Sequence, residues 1–263
     1  MKNDYRYIEI QLEGSLVGIS LNRPERHNAL ILELIEELSL ALDEVATRDD
    51  INFVVLSGNG RSFCAGADLN WFYSSEQLSL EQNTERYEHL ANLLLKMYQL
   101  PQITIATVRG NVFGGGIGLM AACDFVLAEE NTRFMFSEVK LGLLPATILP
   151  FVAKRLSVQN LRKWILTGAL FSASEAHEAG LVDVLCQTGE IDTCLTVFLA
   201  SFDQAAPSAV KKAKQLINRV TSGEIGIADS NATAKILAET LLAPDGQEGI
   251  HAFLEKRKPE WKK

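Results

Sequence analysis

Residues 103–118 have the sequence ITIATVRGNVFGGGIG, in which a continuous apolar run leads through a short loop into a cluster of glycines. The run 103–108 has the length and composition of a strand that is buried on both faces of a sheet. The glycines at 114–118 predict a short helix that continues through Ala122, with several backbone N–H groups free at its first turn. This succession of strand, loop and helix is the unit from which we predict the fold.

Similar units lie on both sides of this stretch. Residues 5–12 and 16–21 alternate apolar and polar side chains around a Glu-Gly-Ser turn, which predicts a hairpin. We expect Asn28 to cap a helix whose apolar side chains recur at helical spacing up to Val45, and residues 53–56 predict another buried strand. Strands that alternate with helices in this way favour a mixed α/β core over a sandwich or a helix bundle.

The later part of the chain has a different character. Residues 124–128 and 133–136 predict two more strands, whereas the pattern beyond Phe151 is largely helical. We therefore expect residues 1–200 to form the core and residues 201–263 to form a helical C-terminal region.

Composition excludes several classes of protein. The chain has 263 residues, of which 47% are apolar and 22% charged, as in ordinary globular proteins. Its net charge of -8 argues against broad binding to nucleic acid. The four cysteines include no CxxC pair, which predicts neither a disulfide framework nor a zinc site, and favours a reducing compartment. We find no apolar leader and no stretch long enough to span a membrane, so we expect a cytoplasmic protein without membrane contact. From the cysteine pattern we also expect no bound metal.

Two segments rich in small residues are candidates for binding a ligand through the backbone. Segment 62–69, with the sequence SFCAGADL, follows a predicted strand, although a tight turn explains it equally well. The glycine cluster suits an oxyanion, although close packing of a helix on a strand is an alternative. Leu119 breaks the GxGxxG spacing, and no Gly-Lys-Ser/Thr follows, so a nucleotide phosphate loop is disfavoured.

Glu138 is the candidate acid or base. It lies between apolar neighbours in the sequence Phe-Ser-Glu-Val, and partial burial raises the pKa of a carboxyl group. Such a group can take up and release a proton near neutral pH. A solvated or capping glutamate is the commoner alternative for an isolated residue of this kind.

Together these stretches resemble the crotonase, or enoyl-CoA hydratase/isomerase, family. The resemblance runs almost from end to end and includes LNRP at 21–24, NAL at 28–30, LTG at 166–168, AGLV at 179–182, QEG at 247–249 and FLEKR at 253–257. It implies a crotonase-type α/β spiral of strand-strand-helix units. It also implies that the helical C-terminal region packs the chain into a homotrimer or a dimer of trimers.

The resemblance further implies roles for single residues. The N–H groups of Ala67 and Gly115 would form an oxyanion hole for a thioester carbonyl, and Glu138 would handle the proton on the α-carbon. Coenzyme A would enter as part of the substrate rather than as a separate cofactor. The residues implied to contact it are Arg26, Ala65, Ala67, Asp68, Leu69 and Gly115, together with Phe253 and Lys256 from a neighbouring subunit. Trp71 and Phe72 would wall the acyl pocket, although core packing explains them nearly as well.

Two departures from the family pattern leave the reaction open. Hydratases of the family usually carry a second glutamate where this chain has Gly118, and a PGxGG loop where it has LPATILP at 144–150. Three hypotheses remain: hydration of a 2-enoyl-CoA by Glu138, alone or with the help of another side chain near the pocket; double-bond isomerisation with Glu138 as the only proton shuttle; and a non-catalytic acyl-CoA-binding protein. A finer similarity, in segments 65–71, 137–139 and 253–261, is to bacterial methylglutaconyl-CoA hydratases of leucine degradation.

Overall fold

The computed structural model describes residues 4–262, which cluster into two compact units that meet along the chain between Leu195 and Thr196. The strands described in the first unit are β1 (Ile8–Glu13), β2 (Leu16–Leu21), β3 (Phe53–Gly58), β4 (Ile103–Val108), β5 (Asn111–Phe113), β6 (Phe125–Glu129), β7 (Arg133–Met135), β8 (Phe171–Ser172) and β9 (Val184–Cys186). Its helices are α1 (Leu32–Ala46), α2 (Leu69–Ser74), α3 (Leu80–Gln99), α4 (Gly115–Ala121), α5 (Leu149–Val152), α6 (Val158–Thr167) and α7 (Ala173–Glu178). The next helix, α8 (Ile191–Ala200), contains the boundary between the units.

The main sheet is mixed but mostly parallel. Its strand order is β1-β2-β3-β4-β6-β9, and only the β1–β2 hairpin is antiparallel. Every residue of β4 is buried, as its continuous apolar sequence predicts for a central parallel strand. The strands β5, β7 and β8 form a separate small sheet.

Helix α1 packs on α3 through apolar side chains that recur at helical spacing. Leu34, Leu38 and Leu42 of α1 are buried, as are Leu90 and Leu94 of α3. Helix α3 begins with a capping box, in which the Ser79 side chain accepts a hydrogen bond from the backbone N–H of Gln82 and the Gln82 side chain accepts one from the backbone N–H of Ser79.

The prediction that Asn28 caps α1 was wrong. The helix begins at Leu32 with Ile31 as its N-cap, and Asn28 lies in a turn before it with φ of 55°. The Asn28 side chain is buried and donates to the carbonyl oxygens of Asn59 and Ser62, at 2.9 and 2.8 Å. Asn28 therefore ties the turn to the loop after β3 instead of starting a helix.

The cysteines also depart from expectation. The structure joins Cys186, at the end of β9, to Cys194 of α8 in a disulfide, where the sequence predicted no disulfide framework. Cys64 and Cys123 are buried. Burial raises the pKa of the Cys64 thiol to about 12, which keeps that group neutral.

The second unit contains the end of α8 and the helices α9 (Pro207–Thr221), α10 (Ser230–Leu242) and α11 (Pro244–Leu254). Asp245, in the first turn of α11, accepts a hydrogen bond of 2.6 Å from the Ser208 hydroxyl of α9. Arg257 pairs with Glu248 at 2.6 Å after α11 ends. Within the described part of the chain, none of the helices is both long and apolar enough to span a bilayer.

Candidate active site

A cavity of about 840 Å³ opens into the first unit. Its walls come from the segment after β3, from the start of α4, from α3 and from residues 137–148. All of the predicted site residues that belong to the first unit line this cavity, namely Arg26, Ala65, Ala67, Asp68, Leu69, Gly115 and Glu138. The fold therefore brings the three candidate stretches of the sequence to one place.

The backbone at Ala67 is held on one side and open on the other. Leu30 donates its N–H to the carbonyl of Gly66 at 2.8 Å and accepts the N–H of Asp68 at 2.9 Å, as in a parallel bridge. Because both neighbours of Ala67 bond to Leu30, the N–H of Ala67 points the opposite way. In the described part of the chain this N–H has no backbone acceptor, and Ala67 lines the cavity.

The second open donor is at the start of α4. Gly114 has φ of 45° and gives its N–H to Met135 of β7 at 3.0 Å. Gly115 follows as the first helical residue, so its N–H has no carbonyl one turn earlier to bond. A Cβ on Gly116 would lie 2.5 Å from the carbonyl oxygen of Cys64, which shows how closely α4 approaches the loop that carries Ala67.

Glu138 begins a short 3-10 turn that ends at Leu141. A Cβ on Gly114 would lie 2.9 Å from Oε1 of Glu138, so the absence of a side chain at 114 makes room for the carboxylate beside the start of α4. Oε2 is buried, and no hydrogen-bond partner for it exists among the described residues. This burial raises the pKa of Glu138.

The wall next to Gly118 is apolar. A Cβ on Gly118 would lie 2.2 Å from Cγ2 of Ile148 and 3.5 Å from Cδ1 of Leu94. Ile148 lines the cavity, whereas Gly118 is buried behind it. The two departures from the family pattern, at 118 and in 144–150, therefore lie against each other in space.

Asp68 is bound by the protein itself. Its Oδ2 pairs with Arg23 at 3.2 Å, and its Oδ1 accepts the N–H of Asn70 at 3.0 Å in the first turn of α2. The side chains of Arg23 and Asp68 are only 11% and 13% exposed. Arg23 also donates to the carbonyl of Ala29, so one guanidinium group clamps both segments that flank the Leu30–Ala67 bridge.

The mouth of the cavity, where its lining is exposed, carries cationic side chains and also apolar ones such as Leu69 and Leu144, and the buried part of the lining includes aromatic and aliphatic side chains. Arg26 and His27 line the mouth and are exposed. Trp71 stacks on Tyr87 with ring centroids 5.9 Å apart, and both line the cavity together with Leu90. The side chain of Phe72 lies outside the described residues.

Phe253 and Lys256 belong to the second unit. Phe253 is 83% exposed, and Lys256 follows α11 with φ of 55°. Their predicted contact with coenzyme A from a neighbouring subunit stays a prediction. No group of three or more histidine, cysteine, aspartate or glutamate side chains within residues 4–262 is arranged to hold a metal ion.

Sequence reasoning did not single out Ile148, Tyr87 or Leu90. Tyr87 and Leu90 belong to the apolar pattern of α3, which looks the same whether its residues face a core or a cavity. For Ile148 a signal existed in the loop at 144–150, but only the structure shows that this side chain abuts Gly118.

Two open main-chain donors beside one buried carboxylate define a site suited to a carbonyl compound that reacts through its enolate. The family model described as Enoyl-CoA hydratase/isomerase matches residues 11–263, and the chain belongs to this family.

Known relatives cover nearly the whole chain. The 2,3-dehydroadipyl-CoA hydratase of Escherichia coli is 34% identical over 93% of this chain and 94% of its own length. The crystal structure of an enoyl-CoA hydratase from Shewanella pealeana superposes with a TM-score of 0.93 at 31% identity, covering 98% of this chain and 97% of the other. The structure of Pseudomonas aeruginosa AtuE gives 0.94 at 32% identity, covering 98% of this chain and 100% of the other. The predicted crotonase-type α/β fold is thereby confirmed.

Proposed function

We propose that the protein hydrates a 2-enoyl-CoA to a 3-hydroxyacyl-CoA, with Glu138 as its only acid and base. The observation that carries this proposal is the meeting of the open N–H groups of Ala67 and Gly115 with the buried carboxyl group of Glu138 in one cavity. Family membership supports hydratase or isomerase activity on an enoyl-CoA.

In the proposed reaction the thioester oxygen accepts hydrogen bonds from Ala67 and Gly115. The Glu138 carboxylate takes a proton from water while the water oxygen bonds to C3, and the electron pair of the double bond moves to the enolate. Glu138 then returns its proton to C2, so that H and OH have added across the double bond. Each main-chain donor is expected to contribute roughly 10² to 10³ in rate, because it stabilises charge that develops only on the way to the enolate.

Coenzyme A is part of the proposed substrate. The exposed Arg26 lies at the mouth of the cavity, where a guanidinium group can bind a phosphate oxygen. Ala65, Ala67, Asp68 and Leu69 line the path behind it. Asp68 acts in this proposal by holding the loop in place, since its carboxylate is already engaged by Arg23.

We propose 3-methylglutaconyl-CoA as the specific substrate, because segments 65–71 and 137–139 resemble those of bacterial methylglutaconyl-CoA hydratases. Trp71, Tyr87 and Leu90 line the cavity, and their apolar surface suits the methyl branch of this acyl group. This acyl group carries a methyl branch and a distal carboxylate, and crotonyl-CoA lacks both. A comparison of the hydration rates of the two substrates therefore tests the specificity.

The proposal is tested by the loss of enoyl-thioester absorbance with crotonyl-CoA and with 3-methylglutaconyl-CoA. Glu138→Gln is expected to lower the rate by about 10² to 10⁴, the usual contribution of general acid-base catalysis. Glu190→Gln, at an exposed carboxylate outside the cavity, is the matched control and should leave the rate unchanged. Turnover by Glu138→Gln at the wild-type rate would contradict the role of Glu138, whereas absence of turnover in the wild type would favour a non-catalytic acyl-CoA-binding protein.

A second candidate function is isomerisation of a 3-enoyl-CoA to a 2-enoyl-CoA. The observation that favours it is the apolar filling beside Gly118, because Ile148 and Leu94 leave no second carboxylate to position water there. Glu138 would take a proton from C2 and return it to C4, which moves the double bond without water. Transfer of ¹⁸O from labelled solvent to the product occurs in hydration and is absent in isomerisation.

A further inference from the structure

The side chain of Ile148 fills the space beside Gly118. A Cβ at position 118 would lie 2.2 Å from Cγ2 and 2.8 Å from Cβ of Ile148, so no side chain fits at 118 while Ile148 keeps its place. Ile148 is only 2% exposed yet lines the cavity, and Gly118 lies behind it on α4. One branched aliphatic side chain therefore forms the wall between position 118 and the cavity.

This wall offers a water molecule nothing to bind. An ordered water in a confined site needs two to four polar partners, and the side-chain groups nearest to position 118 are methyl and methine groups of Ile148 and Leu94. Near the start of α4, Glu138 keeps Oε2 buried without a partner among the described residues. A carboxylate therefore faces the cavity beside Gly114, whereas the side-chain surroundings of position 118 are apolar.

We propose that Ile148 is a specificity-determining residue that keeps water off the cavity wall next to position 118 and so favours return of the Glu138 proton to the acyl chain over addition of water. The inference rests on the proposed function and names the residue that sets the balance between its two candidate reactions. In one reaction the C2–H bond breaks and a C4–H bond forms as the double bond moves. In the other, the 2-enoyl-CoA takes up water across its C2=C3 double bond, so that OH bonds to C3 and a proton reaches C2.

The test uses a 3-enoyl-CoA in ¹⁸O-labelled water and measures the ratio of labelled 3-hydroxyacyl-CoA to 2-enoyl-CoA. Ile148→Ala and Ile148→Thr remove methyl groups from the wall, and the threonine also adds a hydroxyl that can bind water. Both are expected to raise the ratio about tenfold, a change of about 1.4 kcal/mol between the two barriers. Leu93→Ala, at a fully buried α3 position outside the cavity, controls for general loss of stability and should leave the ratio unchanged.

A second measurement tests the shared volume without reference to activity. Gly118→Ala is expected to lower the melting temperature in the wild-type background, because its Cβ meets Ile148. In the Ile148→Gly background, which removes both Cγ2 and the Cβ that lies 2.8 Å away, the same change should cost less, so the two effects should be non-additive. Additive effects would show that the two positions do not compete for space and would overturn the proposal.

The outcomes separate the inference from the function on which it rests. A wild-type protein active on enoyl-CoA whose product ratio is the same in both Ile148 variants overturns the inference alone, as does a wild-type protein that only hydrates. Absence of any turnover in the wild type overturns the proposed function together with the inference. A ratio raised in both Ile148 variants and unchanged in Leu93→Ala supports the proposal.

Discussion

Glu138 carries a cost in stability as well as a proposed role in catalysis. Burial raises its folded-state pKa above the ordinary carboxyl value, so the unfolded chain releases this proton first as the pH rises. We therefore expect Glu138→Gln to be more stable than the wild type at pH 7, and to lose that advantage below about pH 4, where both states of the wild type hold the proton. Urea unfolding of both proteins at the two pH values measures the difference. An advantage of equal size at both pH values would contradict the prediction.

The same carboxyl group predicts the shape of the pH profile. A base acts only when it is deprotonated, so kcat/KM should fall as the pH falls through the raised pKa of Glu138. The acid limb should therefore lie above about 4.3, the value of a solvated glutamate.

Arg23 is expected to act on the reaction through the position of Ala67. The carboxylate of Asp68 is nearly buried, and Arg23→Leu removes its ion-pair partner. This loss should lower the free energy of unfolding by about 3 kcal/mol. It should also lower kcat, because the bridge between Leu30 and the Ala67 segment loses its clamp. Arg48→Leu removes the exposed pair with Asp50 and is the control, with no measurable change expected in either quantity. Equal effects of the two substitutions would contradict the role of Arg23 in positioning Ala67.

At the scale of elements, the close approach of α4 to the loop after β3 can be tested at Gly116. An alanine there would place Cβ 2.5 Å from a main-chain carbonyl oxygen, which cannot swing aside as a side chain does. We expect a loss of about 1 to 3 kcal/mol in the free energy of unfolding, the usual cost of overpacking, and a fall in kcat/KM as Gly115 moves away from Ala67. Thermal unfolding and steady-state kinetics measure the two effects.

Gly18 of β2 supplies the matched control. A Cβ at this position would have its nearest neighbour at 3.9 Å, which is ordinary van der Waals contact. Gly18→Ala should therefore leave stability and kinetics close to those of the wild type. A Gly116→Ala protein that behaves like Gly18→Ala would show that α4 and the loop do not restrain each other.

The elements differ in how far they could be predicted. Helix α4 and the buried strand β4 follow from a pattern that is local, and both predictions are confirmed. The turn at Asn28 could not be predicted, because its amide bonds to Asn59 and Ser62, more than thirty positions further along the chain. The apolar wall at Gly118 is likewise a meeting of distant segments, since Ile148 reaches α4 from a loop whose own sequence does not show what it touches.

For the whole molecule, we expect a homotrimer or a dimer of trimers. The single chain leaves large apolar side chains exposed in both units, among them Leu69, Tyr73 and Leu144 in the first and Leu242 and Phe253 in the second. Sedimentation equilibrium should give three or six times the chain mass of 29.0 kDa. Phe253→Asp should shift the mass toward that of the monomer, whereas Glu190→Gln should not. A wild-type protein that sediments at 29.0 kDa would contradict the expectation.

The two open donors of the cavity belong to the main chain, at Ala67 and Gly115. Every residue except proline carries the same N–H group, so a codon change at either position to any other residue alters the bulk around the donor but leaves the donor itself in place. Apart from a change to proline, mutation can therefore degrade this part of the site only through its shape. Glu138 differs in this respect, because a single base change in its codon is enough to remove the carboxyl group. The proposed reaction is therefore most sensitive to mutation at Glu138.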